Sequence, residues 1–343
     1  MEEKHIKEQT QITQITTDFL IISENPFNLC HPWLKKNTGM VDITHKIITQ
    51  RTATAQAIVK VGSPATMQAI LNKTVPKGDV LEVARTAGLF AVKNTSNSIP
   101  DCHPMPIEFT GIEYEFLEDS VLIKVTVKAI YRTGVEVEAM HGASIVALTM
   151  YDMLKPIDKQ VEISTIKLLH KKGGKSDFGV KENLDLSVAV IVCSDSVSSG
   201  KKEDRAGKVI SDKIKKLGLS VSNYTVIPDE ISDIQETINK LCANNKDLVI
   251  LTGGTGLSNR DVTPEAVIPL LDRRIPGIEE AIRSYGQDRT PYAMLSRSVV
   301  GFKGHTLIMA LPGSTAGASE SMDAVFPSIL HLFKILNGFN HGK

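Results

Sequence analysis

The chain has 343 residues, with 39 Lys plus Arg against 39 Asp plus Glu and 42% hydrophobic residues, so it is long enough for two cores and has no formal net charge. Zero net charge excludes a broad basic field for nucleic acid or an anionic membrane, and any anion site must be local. No apolar run approaches a bilayer span and MEEKHIKEQTQ lacks a signal-peptide core, so a cytoplasmic protein with no membrane or nucleic-acid partner is expected.

Residues 1–39 are polar, rich in Gln and Thr at first, with one short apolar run from Phe19 to Ile22. This extension is expected to be partly disordered or to lie over a neighbouring subunit. In VPKGDVLEVARTAGLFAVK, Gly78 and Asp79 precede a helical pattern, which puts Lys77 at a helix start, where anions are already favoured. Asp101-Cys102-His103-Pro104 opens two strands, Ile107 to Leu117 and Val121 to Ile130, joined at Glu118-Asp119. The helix from Val135 to Leu154 is apolar nearly all round, which argues for burial on more than one side and for a homo-oligomer. Asp152 and Lys155, three apart at its end, share a face. Taken alone they are an ordinary surface ion pair worth a fraction of a kcal/mol. The four cysteines, Cys30, Cys102, Cys193 and Cys242, show no C-x-x-C pair or zinc spacing and read as reduced thiols.

The second half alternates strand and helix: Val188 to Cys193, Arg205 to Leu217, Val221 to Ile227, Ile231 to Ala243, Leu248 to Leu251 and Thr306 to Leu311. That alternation predicts a mostly parallel sheet covered by helices. After Leu251 comes Thr252-Gly253-Gly254-Thr255-Gly256, whose backbone amides can form a nest for phosphate. Asp261 follows, on a turn that Thr263-Pro264 ends as a helix start. A carboxylate beside phosphates suggests Mg²⁺.

Several separated motifs carry two family resemblances. From Met40 to about Asp177, MVDITHK, VPKGDVLEVARTAG, IPDCHPMPI, RTGVEVEAM, ALTMYDMLK and LLHKKGGKSD resemble the cyclic pyranopterin monophosphate synthase family. From Leu186 onward, VAVIVCSDSVSSGKKEDRAG, VIPDEISDI, TGGTGLSNRDVTPEAV, AMLSRSVVG and LIMALPGS resemble the molybdopterin adenylyltransferase family. The resemblances divide the chain into the extension 1–39, a synthase-like domain 40–178, a linker 179–185 and an adenylyltransferase-like domain 186–343. They imply an α+β ferredoxin-like first domain assembling as a hexamer, followed by an α/β domain whose relatives are trimers.

The first resemblance implies Lys77, His103, Asp152 and Lys155 as catalytic residues, with Arg51, Lys93, Glu136, Lys171 and Lys175 lining the same pocket. The placement of Lys175 is marked by a departure, since the family's glycine after Ser176 is absent here. The implied reaction converts cyclic dihydroguanosine triphosphate to cyclic pyranopterin monophosphate and pyrophosphate. Lysine suits proton transfer there, because crowding among cations loosens its proton. The second resemblance implies Ser194, Asp195, Ser196, Asp229, Gly253, Gly254, Thr255, Gly256, Asp261, Pro312, Gly313 and Ser314 around Mg-ATP and molybdopterin, with Asp229 and Asp261 toward the metal. All four loops follow strands, where open α/β sheets bind ligands. No tightly bound organic cofactor is expected. The alternative is a non-catalytic pterin- or nucleotide-binding module attached to an active synthase.

Overall fold

The structure, a computed structural model, describes residues 39–174, 177 and 185–336. The expected extension 1–38, Lys175 and linker positions 179–184 lie outside the described residues.

β1 (Thr49–Lys60) is an inner strand of the first sheet, and its alternate residues Ala53, Ala55, Ala57 and Val59 are fully buried. It pairs antiparallel with β3 (Ser120–Tyr131) on one side and with β4 (Glu162–Lys172) on the other, while β2 (Phe109–Phe116) pairs with β3. The resulting order is β2-β3-β1-β4, an antiparallel sheet in an α+β half.

Among the described residues, three helices of eight residues or more serve this sheet: α1 (Pro64–Leu71), α2 (Val80–Lys93) and α3 (Glu136–Leu154). Asp79 caps α2 by accepting from the backbone N–H groups of Leu81 and Glu82, at 3.2 and 3.3 Å. α2 and α3 touch through two glycines. A Cβ on Gly142 would lie 2.6 Å from Val92 Cγ2, and one on Gly88 would strike the Val146 side chain. Side-chain contact at both points makes the helices antiparallel neighbours.

The second half has a six-stranded sheet of order β6-β5-β7-β10-β9-β8, built from β5 (Val188–Cys193), β6 (Val221–Ile227), β7 (Leu248–Thr252), β8 (Arg273–Arg274), β9 (Val299–Lys303) and β10 (Thr306–Leu311). β6, β5, β7 and β10 are parallel neighbours. Both faces are covered, so β5 reads as an unbroken apolar run and all six of its residues are buried. Val188, Val190, Leu248 and Ile250 meet α4 (Ala206–Lys216), α7 (Pro276–Gln287) and α8 (Thr315–Val325). Ala189, Ile191, Val249 and Leu251 meet α5 (Ile231–Ala243) and α6 (Thr263–Val267). β9 turns at Gly304, with φ 58°, into an antiparallel pairing with β10; β10 is among the elements expected from sequence and β9 is not.

Asp158 ties α1 to the loop before β4. Its carboxylate accepts from Gly62 N at 2.7 Å, Thr66 Oγ1 at 2.9 Å and Gln160 N at 2.9 Å. Asp158→Ala is expected to leave these donors unpaired and to lower the first half's unfolding free energy by about 2 kcal/mol. Urea denaturation followed by amide exchange in β1 measures this, and an unshifted transition would contradict it.

Candidate active sites

At the C-terminal end of α3, Asp152 lies between two lysines. Its Oδ1 is 2.7 Å from Lys155 Nζ and its Oδ2 is 2.7 Å from Lys77 Nζ, which also donates to the Asp152 carbonyl at 3.0 Å. The hydrogen bonds from Lys155, then Lys77, hold the Asp152 carboxyl down at about 2. The same carboxylate raises the proton affinity of Lys155. Loosening of lysine protons, expected from crowding among cations, is therefore reversed at Lys155: the nearest charge is negative, and the ammonium is held.

A second set gathers at the other end of α3, around a cavity of about 330 Å³ lined in part by Arg51, Arg132, Glu136 and Lys171. Arg51 is 7% exposed and is aimed by its own backbone surroundings, with Nε donating to the Tyr131 carbonyl at 3.1 Å and Nη2 to that of Arg132 at 3.3 Å. Burial lowers its proton affinity, against which Glu136 and Asp177 act. Lys171 pairs with Glu136 at 3.2 Å. The loop carrying His103 reaches the same end, because Cys102 Sγ donates to Glu138 Oε1 at 3.1 Å. Glu138 is 2% exposed, its Oε2 has no hydrogen-bond partner among the described residues, and burial raises its pKa. Burial, then the Glu138 carboxylate, pushes the Cys102 thiol up to about 12, which makes it unreactive. Glu138, a polar exception at the start of an apolar helix, is not among the expected site residues.

Lys93 closes α2, which runs antiparallel to α3, so it is exposed near the Glu136 end. Glu136 and Asp152 are sixteen residues apart, or about 24 Å along the helix. One chain therefore does not form the single pocket expected for these residues. Lys77, Asp152 and Lys155 stand at one end; Arg51, Lys93, His103, Glu136 and Lys171 stand at the other.

In the second half the loops after four strands do converge. Gly253 and Gly254 have φ of 104° and 63°, and a Cβ on Gly253 would collide with the Cys193 carbonyl. Thr263 Oγ1 donates to the Gly253 carbonyl at 2.9 Å, and Thr252 Oγ1 donates to the Pro312 carbonyl at 2.8 Å. A Cβ on Gly313 would lie 2.9 Å from Gly253 Cα, so Pro312, Gly313 and Ser314 abut the glycine loop. Ser194 caps the turn Asp195–Ser198, where its Oγ lies 3.1 Å from that of Ser196, and Ser314 caps α8.

Asp195 and Asp229 exchange backbone N–H donations, at 3.1 Å to Asp195 Oδ1 and 3.3 Å to Asp229 Oδ2. Asp229 Oδ1 is buried with no hydrogen-bond partner among the described residues, and it lies 2.7 Å from where a Cβ on Gly254 would be. Burial, together with the charges of Asp195 and Asp261, raises its pKa. Asp261 Oδ2 accepts from Ser258 N at 2.8 Å and faces Gly256.

Two arginines absent from the expected set complete the loop. Arg260 Nη2 pairs with Asp195 at 2.7 Å and Glu230 at 3.0 Å; Arg297 donates to the carbonyls of Gly256 at 2.8 Å and Asp261 at 2.6 Å. Thr255, 4% exposed, accepts from Arg297 N through its carbonyl at 3.1 Å.

The MoaC family matches residues 40–174, and a probable molybdopterin binding domain matches residues 189–331. The molybdenum cofactor biosynthesis bifunctional protein of Chlorobaculum tepidum is 38% identical over 302 residues, covering 88% of this chain and 96% of that protein. The chain belongs to this bifunctional molybdenum cofactor biosynthesis family. The counterpart from Synechococcus elongatus is 36% identical, across 88% of this chain and 99% of that protein. The cyclic pyranopterin monophosphate synthase of Clostridium perfringens is 47% identical over 144 residues, spanning 41% of this chain and 90% of its own length. Among solved structures, the molybdopterin biosynthesis enzyme MoaB from Thermus thermophilus is 37% identical, covers 46% of this chain and 99% of its own, and superposes with a TM-score of 0.43. No helix among the described residues is long and apolar enough to cross a membrane.

In the MoaC-family half, the Asp152 carboxyl is expected to titrate near 2 by carbon-detected NMR, below its ordinary 3.8, and to move up in Lys155→Met. Because the shift is downward, its stabilising contribution is full above pH 3.8 and disappears as pH falls through about 2. An ordinary carboxyl titration in the native chain would contradict the bridge.

Proposed function

We propose that the MoaC-family half is a cyclic pyranopterin monophosphate synthase and that the molybdopterin-binding half adenylylates molybdopterin with Mg-ATP. The observation that carries the first assignment is the Lys77–Asp152–Lys155 bridge, a carboxylate straddled by two ammonium groups. Asp152, held ionised, accepts and orients, and the Lys155 ammonium becomes a proton donor only when substrate displaces Asp152 from it. A base arises there when substrate displaces one of the two pairs. Arg51 and Lys171 suit the triphosphate, since cations fixed in advance stabilise a departing pyrophosphate.

The two half-sites are about 24 Å apart on α3 and come together only if a second copy supplies one of them. Val137, Leu148 and Tyr151, exposed apolar residues of α3, support a homo-oligomer that does so. The antiparallel order β2-β3-β1-β4, with helices between its strands, supports the ferredoxin-like reading. A hexamer of the first half and a trimer of the second share threefold symmetry, which one assembly can satisfy.

For the second half, the partnerless Asp229 Oδ1 beside the glycine loop carries the assignment. Among the described residues no group of three or more His, Cys, Asp or Glu side chains is placed to hold a metal alone. Two carboxylates do fit Mg²⁺ shared with phosphate oxygens, the usual arrangement for that ion at a nucleotide. When bound at Asp229 and Asp261 it would offset the phosphates' charge. Around it, Gly253, Gly254, Thr255 and Gly256 offer backbone and hydroxyl donors, and Thr263 holds the loop open. A buried oxygen without a partner supports a ligand site here, because burying an unpaired carboxylate oxygen is costly unless a ligand uses it.

Lys77→Met and Arg51→Ala chains are each expected to lose pyrophosphate release from cyclic dihydroguanosine triphosphate by about 100-fold or more, and to regain part of it when co-expressed. Normal turnover in Lys77→Met would remove Lys77 from the site; a co-expressed mixture that stays inactive would remove the shared site. Purified chain with molybdopterin and Mg-ATP is expected to form adenylylated molybdopterin, and Asp261→Asn is not. No product from well-folded native chain would favour the binding module.

A further inference from the structure

The segment Val41 to Ile47, which leads into β1, is held from both halves of the molecule. On one side His103 Nε2 lies 2.8 Å from the Val41 carbonyl. A carbonyl only accepts, so Nε2 carries the hydrogen, and in the neutral ring Nδ1 keeps the lone pair. On the other side Tyr285, on α7 and only 7% exposed, donates its hydroxyl to the His45 carbonyl at 2.5 Å. Arg289 donates to the Thr44 carbonyl and stacks on the Tyr285 ring, 3.3 Å from its centroid. Beside them, Asp288 pairs with Arg132 at 3.1 Å.

His45, Lys46 and Ile47 also line the cavity that contains Arg51, and Asp323, Phe326, Pro327 and Ser328 of the second half line it too. The second half thus pins one wall of the synthase cavity and supplies another.

We infer that Tyr285 and Arg289 of the molybdopterin-binding half are positioning residues for the synthase half, fixing the 41–47 segment and through it the Arg51 cavity and the His103 ring. The inference rests on the synthase reading given above. Neither residue touches the reacting atoms. Their effect falls on how well the triphosphate is held, so it belongs in KM more than in kcat.

The test uses the full chain and cyclic dihydroguanosine triphosphate, following pyrophosphate release and amide exchange of residues 41–47. Tyr285→Phe, which keeps the ring and removes one buried donor, is expected to raise KM about three- to tenfold with kcat within about twofold. Arg289→Ala is expected to behave alike, Arg289→Lys to recover most of the loss by keeping a donor, and exchange at 41–47 to quicken in the first two variants only. Active native chain with unchanged KM in both Tyr285→Phe and Arg289→Ala would overturn this inference alone. So would a fall in kcat and melting temperature with KM unmoved, which marks plain structural damage. A native chain that releases no pyrophosphate would overturn the synthase reading and this inference together.

Discussion

Close contact between α2 and α3 governs the chemistry of the first half. Gly88 and Gly142 leave room for Val146 and Val92, so the helices lie side by side and antiparallel. That geometry brings Lys77, just before α2, to Asp152 at the end of α3. The same geometry carries Lys93 to the opposite end, with Glu136. A side chain larger than hydrogen at either glycine would push the helices apart and loosen both ends at once. The two half-sites are therefore coupled by packing even though about 24 Å of helix separates them.

The second half solves a different problem, that of gathering loops remote in sequence. Parallel strands all end on one edge, so the segments after β5, β6, β7 and β10 meet without being neighbours in the chain. What each contributes follows from its backbone. Positive φ at Gly253 and Gly254 presses the loop against the Cys193 carbonyl and clears space before Asp229. Thr263, fully buried, then fastens the loop from behind.

Much of this was legible in the residues. Bounds of β5, α5 and β10 agree with the apolar runs because each is covered on both faces or amphipathic with a clear period, and the edge strand β6 agrees as well although none of its residues is buried. β9 was not, since VVGFK is short and contains a glycine, and only pairing with β10 makes it a strand. The same distinction holds in the sites. Spacing put Asp152 and Lys155 on one face, and the glycine run indicated an anion loop. Spacing is silent about Glu138, Arg260 and Arg297, whose roles are set by partners distant in sequence. Nor does a motif on one helix disclose that its residues stand in two groups about 24 Å apart.

Arg260 has a further consequence. In the free chain its guanidinium is satisfied by Asp195 and Glu230, so the loop holds a cation that is internally neutralised. An incoming anion has to out-compete two carboxylates for it. A singly charged ion gains little from that exchange, whereas one bearing several charges recovers the loss through many contacts. On the proposed reading, a polyphosphate would replace more of these contacts than a singly charged ion would.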